Sequence, residues 1–228
     1  MQKLVEGRVS REAFAEDVAD AKRGLQKSLL TQKTEIKGMH EDIMKEMLLD
    51  EGVTAYYQPY VFPVGERALH EPDFIVPQMT VGGKMVVFNP HYLEEDLDGK
   101  VQSHDVAKIG GFTRVWCMDG GAFYHIFITT APKEMLYGKI IEGLDGDGGE
   151  VWRVRNGIKD PDERWQKEKK QMVELYSHLK GKIRMNPMGD ELLAQQIAIA
   201  KRLRHEQKLR TQTMEHAYRD MAVAVVRS

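Results

Sequence analysis

One cysteine, Cys117, stands in 228 residues, which excludes an internal disulfide. No Cys-x-x-Cys pair or Cys/His cluster accompanies it, so a structural zinc site is not expected, and a reducing compartment is. Charge of one sign is also lacking: 33 Lys and Arg against 35 Asp and Glu leave a formal net charge of -2. Such a chain does not coat a nucleic acid by bulk attraction, and any contact of that kind has to come from a local basic patch. No apolar run approaches the roughly 20 residues that cross a bilayer, and the first residues lack the apolar stretch of a signal peptide. The expectation is a cytoplasmic protein with no membrane partner. What is present is ordinary globular material, 42% hydrophobic and 30% charged, enough to build a substantial core.

Proline is missing from residues 11–50, where Phe14, Val18, Ala21, Leu25, Ile36, Ile43 and Met47 recur at helical spacing. The pattern predicts helix throughout, broken into two near Thr34 and Gly38, with Ser10 as N-cap and Gly52 as the stop. From residue 53 to 88 the period shortens, predicting strands at 54–57, 60–62, 74–76 and 84–88, with Pro59, Pro63 and Gly65 marking turns and an edge. A short helix over 103–112 follows, then a strand over 113–118, the turn Asp119-Gly120-Gly121 and a strand over 123–130, the last two strands reading as a hairpin. Residues 142–149 read as a loop and 151–155 as one more strand. Helices over 162–179 and 190–226 close the chain. The order predicts an α+β (α/β) fold, a central mixed sheet flanked by helices with long C-terminal helices. Its divisions are an N-terminal helical segment (1–34), a core (35–158) and a helical extension (159–228).

The informative stretch runs from Gln58 to His91. Pro72-Asp73 precedes one apolar strand, and the next, entered through Gly82-Gly83, delivers Asn89 and His91 at its far end. Strand ends present side chains rigidly, and a divalent cation that activates water beside a phosphate wants hard oxygen ligands. Asp73 is the first candidate ligand. A glutamate on the preceding helix supplies a second, Glu41 before Glu46. Lys108 and Asp105 on the 103–112 helix are placed to reach the same strand ends.

This arrangement resembles the PD-(D/E)XK nuclease superfamily: a helix carrying Glu41, a hairpin, Pro72-Asp73, then Asn89-Pro90-His91 where acid-x-Lys is expected, then a helix and a strand. Tyr57-Gln58-Pro59-Tyr60 is similar to the Gln-Pro of transposon-end-cleaving nucleases and of related phage head-completion proteins. The likeness covers about residues 36–130. It implies a restriction-endonuclease-like core in which Glu41 and Asp73 hold Mg2+ or Mn2+, Asn89 adds a neutral oxygen, and His91 or Lys108 handles the attacking water or the phosphate. Asn89 replaces the acid and His91 the permanent cation, and a histidine still serves as base or proton carrier.

Two functions are therefore expected side by side. One is a DNA-acting protein, either a metal-dependent endonuclease or a catalytically degenerate relative. The other is a noncatalytic assembly component of a phage or mobile element, in which case its location is the virion. In the C-terminal segment, Lys201, Arg202, Arg204, Lys208 and Arg210 form a basic run suited to a phosphate backbone. Leu193, Ile197, Ala200, Leu203, Met214, Ala217, Met221 and Val225 recur on the same helix, and so long a helix is expected to pack on a protein partner or a second copy. The tryptophans Trp116, Trp152 and Trp165 are expected to fill cores.

Overall fold

The computed structural model describes residues 10–66, 68–90, 103–130, 144, 147–154 and 160–227, with the backbone alone for 103–106, 161 and 212–227. Among the described residues, five helices surround a six-stranded mixed sheet. The helices are α1 (Arg11–Leu25), α2 (Met39–Asp50), α3 (Ser103–Phe112), α4 (Pro161–Lys180) and α5 (Gly189–Arg227). The strands are β1 (Tyr56–Tyr57), β2 (Phe62–Pro63), β3 (Leu69–His70), β4 (Phe74–Val81), β5 (Lys84–Pro90), β6 (Phe123–Thr129), β7 (Gly149–Arg153) and β8 (Arg184–Met185).

Local chemistry sets several boundaries. The Ser10 hydroxyl accepts from the Ala13 amide at 3.2 Å and starts α1, while Asp160 accepts from the Asp162 and Glu163 amides and starts α4, with Pro161 at the first helical position. Gly52, at φ +65°, turns the chain out of α2. Gly82 and Gly83, both at positive φ, make the two-residue turn that folds β4 back on β5 in antiparallel register. The sheet order is β1-β4-β5-β6-β7, with β8 pairing beside β1 on the outer side of β4. β5, β6 and β7 run parallel.

Three expectations are corrected. Residues 11–50 are not continuous helix around a point break: a 3₁₀ turn (Gln26–Ser28) follows α1, and α2 begins only at Met39. Residues 113–118 are not a strand. The chain continues from α3 into a π-helix (Thr113–Cys117), because burial of Phe112, Trp116 and Cys117 on one side outweighs the strand preference of Thr113 and Val115. The hairpin around Asp119-Gly120-Gly121 falls with it: that turn leads into β6, which reaches β5 in parallel after a helical crossover.

Parity along the strands sorts the core into two faces. Ile75, Met85, Val87 and Phe123 lie under α1, α5 and the π-helix, where Phe62 meets the rings of Phe112, Trp116 and Phe123 edge-on, centroids 5.0–5.7 Å apart. Trp116 donates to the Pro63 carbonyl at 2.8 Å. Phe74, Val76, Val86, Phe88, Ile126 and Ile128 lie under α2 and α4. Leu193, Ile197 and Ala200 of α5 are buried in the first face, so this half of the long helix packs on its own chain and needs no partner there. Met214, Ala217, Met221 and Val225 fall outside the described side chains.

Candidate functional site

The register of β4 on β5 pairs Phe74 with Phe88, which sets Asp73 across from Asn89. Both have the parity of Ile75 and Val87, so both belong to the first face, at the end of the sheet where β4 begins and β5 stops. The Asp73 amide donates to the Asn89 Oδ1 at 3.2 Å. Asn89 and Pro90 remain paired with Phe127 and Ile128 of β6, so they continue the strand and do not form a turn. A cleft of about 290 Å3 opens here, lined among others by His70, Glu71, Asp73, Asn89 and Lys108.

Burial raises the Asp73 carboxyl well above the usual carboxylate range, and the charge of Glu41 raises it further. Gln58 opposes this by a side-chain hydrogen bond to the carboxyl, Glu71 adds to the rise, and Lys37 again opposes. Gln58 reaches Asp73 through an uncommon backbone: at φ +44° it is left-handed, and its amide also donates to the Asp73 carbonyl at 2.8 Å. Glu41 comes from the first turn of α2 and is fixed by the Tyr57 hydroxyl, which donates to it at 2.6 Å. Two carboxyl groups from separate elements thus lie within electrostatic reach of each other without full neutralisation. That is a charge pattern which a divalent cation relieves, since its field favours the ionised form of both. Carboxylate oxygens are the hard donors that Mg2+ and Mn2+ take. Among the described residues no group of three or more His, Cys, Asp and Glu is gathered for a metal.

The structure therefore brings Asp73, Asn89 and Lys108 to one cleft and sets Glu41 within electrostatic reach of Asp73. Asn89 is more committed than a free ligand, because its Nδ2 contacts His70 Nε2 at 3.1 Å while its oxygen holds the Asp73 amide. Glu46 is engaged elsewhere, by Lys169 of α4 at 2.8 Å. His91 and the Asp105 side chain lie outside the described residues. The basic run divides. Lys201 pairs with Asp17 and Asp20 of α1, and Arg202 pairs with Asp17 and donates to the Ala13 carbonyl. Arg204 lies over the Tyr60 ring, 5.7 Å from its centroid, and Gln207 donates to the Gly65 carbonyl at 2.6 Å. Lys208 and Arg210 are exposed, Arg210 within 3.9 Å of Glu206. The second half of the run thus lies beside the β2–β3 hairpin, whose His70 and Leu69 line the cleft.

Tyr57, Gln58, Lys37 and His70 have a hand in the site that the sequence does not assign them: the first two stand in the Gln-Pro motif without a stated role, the others in no motif. Gln58 was visible as part of Gln-Pro, but its target was not. His70 carried only the weak signal of standing three residues before Asp73. A second histidine, His125 on β6, is fully buried; its Nδ1 lies 2.9 Å from the Thr113 hydroxyl, and its Nε2 has no partner among the described residues. Burial, with a lesser contribution from His70, lowers its pKa to about 3. No helix among the described residues is long and apolar enough to cross a membrane. No family model, no curated protein and no solved structure matches the chain.

Proposed function

We propose that this chain is a DNA-acting protein of PD-(D/E)XK type, with Glu41 and Asp73 as the ligands of a Mg2+ or Mn2+ ion and Lys108 as the cation of the cleft. The observation that carries the reading is Asp73 at a strand start within the electrostatic reach of Glu41 at a helix start, with Gln58 bonded to Asp73 and Lys108 in the same cleft as Asp73. The order α2, β1, β4, β5, α3, β6 supports it: a helix, an antiparallel set, a crossover helix and a parallel strand, as the resemblance implies.

The bound cation would lower the pKa of a water ligand and take up charge on the phosphate. The chain's own part is to orient and to shield. Asn89 holds the Asp73 backbone, Gln58 keeps the carboxyl turned into the cleft, and Tyr57 fixes Glu41. Lys108 meets the phosphate, and the exposed Lys208 and Arg210 meet the backbone of the duplex beyond the β2–β3 hairpin.

The test is cleavage of linear, branched and single-stranded DNA with Mg2+ and then Mn2+. Asp73→Ala is expected to lower cleavage at least 100-fold, and Lys208→Ala to weaken DNA binding with a shallower salt dependence. Cleavage that survives Asp73→Ala overturns the reading. One observation favours the noncatalytic assembly role instead: both ends of the Asn89 amide are spent inside the protein. No cutting under any condition, together with stable incorporation into a larger particle, decides for that role.

A further inference from the structure

The Asn89 side chain has one orientation open to it. A backbone N–H can only donate, so the Asn89 atom facing the Asp73 amide at 3.2 Å is the oxygen, and the nitrogen faces His70 Nε2 at 3.1 Å. An amide nitrogen donates in turn, so Nε2 accepts through its lone pair and His70 is the neutral tautomer with its proton on Nδ1. The ring is held in place from β3, with Phe112 5.2 Å away between centroids.

We propose that His70 is a positioning residue of the cleft: His70 and Asn89 form a matched neutral pair that braces the backbone of Asp73. An aspartate at 89 would accept from the Asp73 amide equally well. Its second oxygen would then face Nε2, and to pair with it the imidazole would have to move its proton from Nδ1 or take up a second one, at a buried position where an unmade hydrogen bond is costly. The choice of amide or acid at the end of β5 is therefore coupled to the proton position on the histidine at the end of β3, two elements that meet only in the folded chain. The hydrogen-bonded pair stands on geometry alone; its role in supporting a cation-binding carboxylate rests on the nuclease reading.

Three measurements test it. In 15N NMR of the histidine-labelled wild type, His70 is expected to show a protonated Nδ1 and a bare Nε2; the opposite tautomer overturns the pairing. In thermal unfolding, Asn89→Asp is expected to lower Tm by about 3 °C. Adding His70→Gln to that variant recovers most of the loss, because the glutamine amide donates to the new carboxylate. Strictly additive effects of the two substitutions overturn the coupling. For the positioning role, His70→Gln, whose carbonyl accepts from Asn89, retains DNA cleavage. His70→Leu, which leaves Asn89 Nδ2 unpaired, lowers kcat at unchanged KM, and equal activity of the two variants overturns the role. Were the wild type not to cut DNA, the tautomer and the Tm cycle would still decide the pairing, so the two failures are distinct.

Discussion

Asp73 is held in a setting that disfavours its own charge, and this separates stability from function at a single residue. With its carboxyl raised by burial and by Glu41, the folded state keeps a proton that the unfolded chain releases near pH 4, so stability falls as pH climbs from there toward the raised value. Asp73→Asn removes that penalty. Its Tm is expected to match or exceed the wild type at neutral pH, with an advantage that grows from pH 4 upward, while Mg2+-dependent cleavage disappears. A lower Tm at every pH sinks this account. His125 works in the opposite sense. Its folded pKa near 3 lies below the ordinary value near 6.5, so its contribution is complete above pH 6.5 and drains away as pH falls toward 3, at about 1.4 kcal/mol per pH unit. His125→Leu is expected to flatten the acid limb of a Tm-against-pH curve between those limits; an unchanged limb assigns the acid sensitivity to other groups. Of these residues, Asp73 and Asn89 were legible because strand parity and a two-residue turn are written locally. His70, His125 and the target of Gln58 were not, because each depends on which distant element comes to lie beside it.

At the scale of elements, α2 and α4 are joined by a clasp that no periodicity announces. Glu168, 1% exposed, accepts from Arg164 at 2.9 Å on its own helix and bonds His40 Nδ1 across the interface at 2.8 Å. Burial alone would raise its carboxyl, but the two partners outweigh it and hold the group below its usual range. Glu168→Ala removes this acceptor from both. Because each reaches solvent in part, the expected loss is about 2 kcal/mol, less than for a fully enclosed pair, read as a drop in the urea midpoint. No change in midpoint removes the clasp from the account. This clasp lies on the α2 that carries Glu41, so it also fixes the frame of the candidate ligand. Helices were the most legible elements: α3, α4 and α5 begin and end within two residues of their predicted limits. The misread stretch, 113–118, has strand-forming side chains and folds as a π-helix, which delivers Thr113 to His125. Local preference lost there to the burial of Trp116 and Cys117, a tertiary fact.

At the scale of the whole molecule, the helical layers over the two faces of the sheet leave the one thiol without access to solvent. Burial pushes the Cys117 thiol well above its usual pKa, with only a small opposing pull from Lys84. Modification by an aromatic disulfide reagent is therefore expected to proceed only at the rate of global opening and to accelerate with urea in step with unfolding. Rapid labelling of the native protein refutes the closed packing around the π-helix. The class of this architecture followed from the alternation of periods along the chain. The joining of β5 to β6 in parallel did not, since it turns on a crossover that the mistaken hairpin concealed. The Gly82-Gly83 turn has a further consequence, one of timing. Closing β4 on β5 costs a two-residue loop, whereas β6 and β7 must each be recruited across a long span of chain, and short loops close first. The strand ends bearing residues 73 and 89 are thus expected to meet early in folding, before the layers that later enclose them have assembled.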